Sequence, residues 1–229
     1  MRRLKRIRNS EFGIKMCTME TKIFTNSIGN TDEIIKTGGL VAVPTETVYG
    51  LAANGLDSEA VERIYEVKGR PAVKPLSLMV AGREDIERLC VDVPDEVYAI
   101  TDEFWPGPVT IILKARTDII PEIVRAGGVT IGLRCPDSKL TLALIKSAGV
   151  PLAAPSANPS GQPSPKNSQS VISCFDGAIE AIIDGGECTL GIESTIVDMT
   201  GEPYKILRQG ALSKEKINEV LKLTGKEII

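Results

Sequence analysis

Three clustered cations are the first feature of this sequence that could do chemistry. Lys68, Arg70 and Lys74 fall within seven residues, and Gly69 and Pro71 stop the helical pattern that precedes them. Arginine contacts phosphate through paired hydrogen bonds and lysine as a point charge, so three cations on a rigid turn suit a polyphosphate. A solvated turn whose lysine complements the helix dipole explains this segment equally well by itself.

Polar side chains also follow two buried runs of the sequence. A run that ends at Pro44 continues into the turn 45–51, and a later run continues into the serine- and proline-rich loop 154–165, which contains Ser156 and Asn158. Open α/β sheets place ligands at strand ends, so both segments are candidate binding loops. Threonine hydroxyls that satisfy local backbone explain the first segment as well, and a flexible Pro/Ser linker is the alternative for the second.

Two further arginines end apolar runs. Thr130 and Arg134 are four residues apart on one predicted strand and therefore face the same side. Arg134 and Arg208 would be costly to bury unpaired, a cost that either an anionic ligand or a structural salt bridge would offset. Ser194 and Thr195 begin another predicted strand and add two hydroxyls.

The composition excludes several kinds of catalysis. The 229 residues include no histidine, which rules out a Ser-His-Asp triad, a Cys-His dyad, a histidine base and a histidine-bound metal. The five cysteines form no C-x-x-C pair, which favours reduced, buried thiols in a cytosolic protein. No standard phosphate loop, dinucleotide fingerprint or nucleophile elbow is present. Chemistry must come from lysine, arginine, hydroxyls, backbone amides, carboxylates or the substrate.

Short apolar runs and helical patterns alternate from Lys22 onwards, which predicts an α/β or α+β fold around one mixed sheet. A net charge of −3 and 42% hydrophobic residues are typical of a soluble globular domain, and no uncharged apolar run approaches the ~20 residues of a membrane span. Asp57 or Ser58 is predicted to cap a helix that ends at Gly69. Other helices are predicted at 85–90, 95–104, 138–148 and 213–223. Strands are predicted at 39–44, 76–80, 109–114, 129–134, 150–154, 181–184, 194–199 and 204–207.

Taken in order, the motifs of this sequence resemble those of the YrdC-like threonylcarbamoyl-AMP synthases. The resemblance spans roughly residues 31–224 and implies a single domain with a twisted, mixed, largely open sheet flanked by helices around a concave cationic cavity. It makes residues 19–229 a YrdC-like catalytic domain of the minimal form. Residues 1–18, rich in arginine, are interpreted as a leader or cloning-derived segment that is dispensable. The matching motifs are 44–51, 68–71, 105–110, 132–136, 155–158, 194–198 and 208–210.

The resemblance implies a cytoplasmic nucleotidyltransferase that joins L-threonine, bicarbonate and ATP, with Mg²⁺ assisting, into threonylcarbamoyl-AMP and pyrophosphate. A downstream tRNA threonylcarbamoyl-transferase complex would then modify tRNA, and weak binding of tRNA or double-stranded RNA is compatible with this role. The alternative is a nucleotide- or double-stranded-RNA-binding protein of the YrdC-like branch without settled activity. The lack of histidine fits the synthase, because the attacking carboxylate belongs to N-carboxy-threonine and is already anionic.

The resemblance also implies roles for individual residues, and it implies no protein-bound metal. Relatives often carry histidine where this chain has Met79 and Ser138. The catalytic residues would be Lys68, Arg70 and Arg134. L-Threonine would contact Thr47, Arg134, Ala154 and Ser194. ATP would contact Arg70, Lys74, Thr130, Ser156, Asn158, Ser164 and Arg208, with Lys68 and Asn158 lining the same cavity.

Overall fold

A computed structural model describes residues 20–228, so the predicted leader at 1–18 lies outside the described residues. Within this part, helices and strands alternate as the sequence predicts. The strands are β1 (Lys22–Thr25), β2 (Val41–Val43), β3 (Gly50–Asn54), β4 (Ser77–Met79), β5 (Cys90–Val91), β6 (Val109–Ala115), β7 (Thr130–Arg134), β8 (Leu152–Ala153), β9 (Ala181–Asp184), β10 (Thr195–Asp198) and β11 (Lys205–Arg208). The helices are α1 (Thr31–Lys36), α2 (Ser58–Lys68), α3 (Glu84–Leu89), α4 (Asp95–Phe104), α5 (Glu122–Arg125), α6 (Lys139–Ala148), α7 (Ser168–Phe175) and α8 (Lys214–Leu223).

The strands form one mixed sheet in the order β1-β9-β2-β3-β8-β4-β7-β6-β10-β11, with β5 added to β6. Strand β4 runs parallel to β7, β7 antiparallel to β6, and β6 parallel to β10. Strands β1 and β11 lie at opposite ends of this order, so the sheet stays open. The predicted open, mixed sheet flanked by helices is confirmed.

Helix α2 shows how local sequence places the cationic turn. The Asp57 carboxylate accepts hydrogen bonds from the backbone N–H groups of Glu59 and Ala60 and caps the first turn. Gly69 ends the helix in the left-handed region, with φ 58°, a conformation that glycine adopts without steric cost. The chain therefore turns sharply between Lys68 and Arg70, which sends the two side chains in different directions.

Alternate residues of the central strands pack into two apolar clusters on opposite faces of the sheet. Val41 and Val43 belong to the cluster under α1 and α6, whereas Ala42 between them belongs to the larger cluster under α2, α4 and α8. Ile64 on α2 is fully buried in the larger cluster, and burial of such a side chain stabilises the fold by about 1.5–3 kcal/mol.

Several short elements escaped the sequence prediction. β3 follows directly on the polar turn, and its sequence Gly-Leu-Ala-Ala-Asn has no β-branched residue. It becomes a strand because it is buried between β2 and β8, so tertiary context overrides its weak propensity. The elements β1, β5, α1 and α5 also escaped prediction, because they have two to six residues and are too short to show a clear period. Across residues 20–228, no helix has the length and apolar character that crossing a membrane requires.

Candidate active site

A cavity of about 200 Å³ opens over the middle of the sheet, between the turn after α2 and strand β11. Three arginines and several hydroxyls line it, together with one carboxylate. The polar lining comprises Arg70, Ser77, Thr110, Arg134, Ser156, Glu193, Ser194 and Arg208, and apolar lining includes Met79, Ala154 and Ile196.

Strand alternation places these side chains. On β7, Arg134 lines the cavity, whereas its neighbour Leu133 packs into the larger core. Gly132 leaves the floor open, because a Cβ there would lie 2.7 Å from the Ser77 hydroxyl and 3.1 Å from a Thr110 methyl. A side chain at position 132 would therefore fill the cavity floor.

Arg134 forms a buried ion pair with Glu46. The two side chains are 8% and 7% exposed, and Arg134 Nη2 lies 2.8 Å from Glu46 Oε1. Neither atom has another polar partner. Arg134 Nε also donates to the Gly107 carbonyl at 3.3 Å, and Glu46 Oε2 accepts from the Asp137 N–H at 3.2 Å. Of the two partners that could offset the burial of Arg134, an anionic ligand or a structural salt bridge, the salt bridge is present. It holds the guanidinium at the cavity wall.

Arg208 is held from two sides at the opposite wall. Its Nε and Nη2 donate to the Ser194 carbonyl at 3.1 and 2.9 Å, and its Nη1 lies 2.9 Å from Glu193 Oε2. The Ser194 hydroxyl lies 2.8 Å from that of Thr110. Because Arg134 and Arg208 each already face a carboxylate, the cationic character of the cavity stays a prediction.

Lys68 is not among the residues that line this cavity, and its catalytic role stays a prediction. Its side chain is buried, and its ammonium group donates to the carbonyl oxygens of Ser156 and Asn158. Burial, assisted by the nearby Arg70 guanidinium, lowers the pKa of Lys68 to about 8. Lys68 therefore acts on the cavity through the loop that it holds.

The loop 154–165 is tied down at several points. The Leu51 N–H donates to the Pro155 carbonyl at 2.8 Å, and the Ala157 N–H donates to the Tyr49 carbonyl at 2.7 Å. The Tyr49 N–H in turn donates to the Pro165 carbonyl at 2.9 Å. These bonds join the loop to the start of β3, so the interpretation as a flexible linker does not hold.

Six residues implied by the resemblance meet in the central cavity, and the others lie elsewhere. Thr47 is fully buried, with its hydroxyl 2.9 Å from that of Thr45, which donates to the Val48 carbonyl at 2.7 Å. The two threonine hydroxyls thus form hydrogen bonds within the local turn. Lys74 is exposed, and Thr130 begins β7 outside the lining. The six that meet are Arg70, Arg134, Ala154, Ser156, Ser194 and Arg208.

Asn158 and Ser164 line a neighbouring cavity of about 290 Å³. The Asn158 amide group donates to the carbonyls of Pro159 and Gln162, at 3.0 and 2.6 Å, which turns it away from the central cavity. Asn158 is not among the residues that line the central cavity, and its contact with ATP stays a prediction. Ser164 still reaches that site indirectly, since its hydroxyl donates to Glu193 at 2.7 Å.

Sequence reasoning assigned no role to Glu46, Thr110 or Glu193. All three lie within or beside motifs that were recognised, which is the signal that could have found them. Among residues 20–228, no three histidine, cysteine, aspartate or glutamate side chains come together to hold a metal ion.

The fold and the site together define an α/β domain with an open mixed sheet that places three arginines and several hydroxyls around one cavity. The chain belongs to the Sua5/YciO/YrdC family, whose sequence profile, described as "Telomere recombination", matches residues 33–210.

Curated relatives carry a consistent description. The chain is 46% identical to the threonylcarbamoyl-AMP synthase of Pyrococcus abyssi over 187 residues, which are 82% of this chain and 55% of the relative. It is 34% identical to the threonylcarbamoyl-AMP synthase of Marinobacter nauticus over 174 residues, 76% of this chain and 92% of the relative. The chain thus spans about half the length of the Pyrococcus relative.

A crystal structure of P. abyssi Sua5 complexed with L-threonine superposes with a TM-score of 0.87 and 42% sequence identity. The match covers 91% of this chain and 63% of the Sua5 chain. The fold of residues 20–228 is therefore that of the Sua5/YciO/YrdC family.

Proposed function

We propose that this protein is a threonylcarbamoyl-AMP synthase, a nucleotidyltransferase that uses L-threonine, bicarbonate and ATP. The observation that carries the proposal is the meeting of Arg70, Arg134 and Arg208 in one cavity. Two anionic substrates have to be held close together for this reaction, and separate arginines at the two walls supply a partner for each.

Arg134 is assigned to the threonine carboxylate. Its guanidinium is fixed by Glu46 and the Gly107 carbonyl, so little side-chain entropy is lost when a carboxylate binds. The hydroxyls of Thr110 and Ser194 line the same cavity, 2.8 Å from each other, and can orient the amino acid. The complex of the related P. abyssi Sua5 with L-threonine supports a threonine site in this fold.

Arg70, Arg208 and Ser156 are assigned to the ATP phosphates. Arg70 donates to the carbonyls of Lys74 and Pro75, at 3.4 and 3.1 Å, which keeps its head at the mouth of the cavity. Mg²⁺ would be carried in by the phosphates themselves, as is usual for nucleotide sites that lack an all-protein cage.

The chemical step needs no nucleophile from the protein. The ammonium group of L-threonine first loses a proton to solvent, and the free amine then combines with bicarbonate, with loss of water, into N-carboxy-threonine. One oxygen of its new carboxylate bonds to the α-phosphorus of ATP, and the bond from that phosphorus to the bridging oxygen breaks. Pyrophosphate leaves with the electron pair. The arginines offset the charge that develops on the transferring phosphoryl group.

Release of pyrophosphate that requires L-threonine, bicarbonate and ATP together is the test of this proposal. Release independent of threonine and bicarbonate would contradict it. The product would pass to an enzyme that transfers the threonylcarbamoyl group to tRNA, and we place both in the cytoplasm. Weak binding of tRNA or double-stranded RNA stays a prediction. Titration of this protein with tRNA would measure the affinity.

Replacing Arg70 or Arg208 with alanine is expected to weaken ATP binding about ten- to a hundredfold, because each variant loses a charge-assisted contact to phosphate. Isothermal calorimetry measures the change. Arg63→Ala is the control, since Arg63 pairs with Glu180 outside the cavity lining. Unchanged ATP affinity in both cavity variants would overturn the assignment.

Replacing Cys135 with serine is expected to leave pyrophosphate release per folded molecule within about twofold of the unchanged protein. Cys135 follows Arg134, yet burial and the carboxylates of Glu84 and Glu46 raise the pKa of its thiol to about 11. The thiol is therefore protonated near pH 7 and is a poor nucleophile. A folded but inactive variant, or a covalent adduct on Cys135 in mass spectrometry, would contradict direct attack by the substrate carboxylate.

A further inference from the structure

Glu193 places a carboxylate within the central cavity, beside Arg208. Its Oε2 lies 2.9 Å from Arg208 Nη1, and its Oε1 accepts a hydrogen bond from the Ser164 hydroxyl at 2.7 Å. Arg208 is assigned to the ATP phosphates, and the resemblance implies that Ser164 also contacts ATP. A carboxylate and a phosphate accept from the same donors with similar geometry, so Glu193 and ATP compete for this guanidinium and this hydroxyl.

We propose that Glu193 is a displaceable counter-anion of the phosphate site, which holds Arg208 and Ser164 in the free protein and yields them to a phosphate of ATP. The proposal rests on the proposed function. It assigns Glu193 a role in setting phosphate affinity and in the release of pyrophosphate.

The exposure of the pair supports displacement. The side chains of Arg208 and Glu193 are 41% and 40% exposed, and solvated ion pairs of this kind contribute little free energy. Arg134, which lines the same cavity, and Glu46 form the opposite case, with side chains that are 8% and 7% exposed. A ligand can thus displace the carboxylate of Glu193 at small cost, whereas removing Glu46 from Arg134 would leave a buried charge unpaired.

The surrounding bonds keep Arg208 in place when the carboxylate leaves. Arg208 Nε and Nη2 stay bonded to the Ser194 carbonyl, so only Nη1 changes partner. The backbone carbonyl of Glu193 accepts from the Ala211 N–H at 2.9 Å, which fixes the main chain while the side chain swings. A Cβ on Gly210 would lie 2.3 Å from the same carbonyl oxygen, so the two segments are in close contact.

A carboxylate beside the phosphate groups has a consequence for the product. Its negative charge repels pyrophosphate as well as ATP, and it offers Arg208 an internal partner as soon as pyrophosphate departs. Glu193 therefore lowers the affinity for both phosphate ligands and shortens the residence of the product. L-Threonine, held at the opposite wall by Arg134, is unaffected.

The test is Glu193→Gln, which preserves side-chain size and an acceptor for Ser164 but removes the charge. Calorimetry with ATP and with inorganic pyrophosphate is expected to give about two- to fivefold tighter binding of each, and the affinity for L-threonine is unchanged. Product inhibition by pyrophosphate should strengthen by the same factor. Glu180→Gln is the matched control, because Glu180 pairs with Arg63 at 2.7 Å, accepts from the Leu40 N–H and lies outside the cavity lining.

The outcomes separate this inference from the proposed function. If Arg208→Ala weakens ATP binding but Glu193→Gln leaves it unchanged or weaker, Glu193 positions Arg208 instead of competing with ATP, and the inference is wrong while the proposed function stands. If Glu180→Gln tightens ATP binding equally, the loss of any one negative charge explains the result, and the inference about Glu193 is wrong. If the unchanged protein does not bind ATP, both conclusions fall.

Discussion

Replacing Glu46 with alanine is expected to lower the free energy of unfolding by about 3–5 kcal/mol, because the Arg134 guanidinium is then left buried without a carboxylate. Urea denaturation measures the loss as a shift in midpoint at constant m-value. Glu180→Ala provides the comparison: its pair with Arg63 is about one-third exposed, so loss of that ion pair should cost about 1 kcal/mol or less.

A paired replacement separates stability from activity at this site. Glu46→Leu combined with Arg134→Met removes both charges and should recover most of the lost stability. Activity should not recover, since the partner of the threonine carboxylate is gone. Arg134→Ala alone should likewise abolish the threonine dependence of pyrophosphate release. A stable Glu46→Ala protein with unchanged threonine dependence would contradict both the stabilising role of the ion pair and its role in holding Arg134 for threonine.

Replacing Lys68 with methionine is expected to reduce threonine-dependent pyrophosphate release about a hundredfold, because loss of its ammonium group frees the loop that carries Ser156. It should also cost about 2–4 kcal/mol of stability, since the Ser156 and Asn158 carbonyls lose a buried donor. Lys114→Met is the control: Lys114 is half-exposed and pairs with Asp92 outside the cavity lining. Wild-type activity in the Lys68 variant would show that the loop holds its shape without the lysine.

The same variant gives a pH signature of the buried lysine. The folded-state pKa of Lys68, about 8, lies below its ordinary value of 10.5, so between these values the unfolded chain binds more protons than the folded one. The stability of the unchanged protein relative to Lys68→Met should therefore rise as pH increases from about 8 to 10.5. Unfolding free energies measured at several pH values test this, and a flat difference would place the ammonium in a solvated environment.

Element prediction was most accurate where local signals were strong. Helix α4 and strand β9 have the predicted limits, because a 3.6-residue apolar period and a buried aliphatic run are both local properties. The sequence predicts a polar turn that extends to Leu51, whereas strand β3 already begins at Gly50. Its alanines become strand residues only because β2 and β8 lie on either side, and no local pattern carries that information.

The candidate site divides in the same way. Residue types and motif order were enough to single out Arg70, Arg134 and Arg208, which the fold then brings to one cavity. The direction of Lys68 could not be derived, because its ammonium bonds to carbonyls of a loop about 90 residues further along the chain. Whether a cation faces a ligand or a carbonyl depends on this long-range packing.

The sequence by itself determined the kind of chemistry, because a chain without histidine but with arginines at strand ends can bind and orient anions yet offers no imidazole base. The tertiary structure decided which carboxylate each arginine meets. Glu46 and Arg134 are 88 residues apart in sequence and become partners in a buried site, whereas Glu193 meets Arg208 across a half-exposed edge of the cavity. Burial makes the first pair permanent and solvent makes the second exchangeable, and burial arises only when the strands pair in their final order.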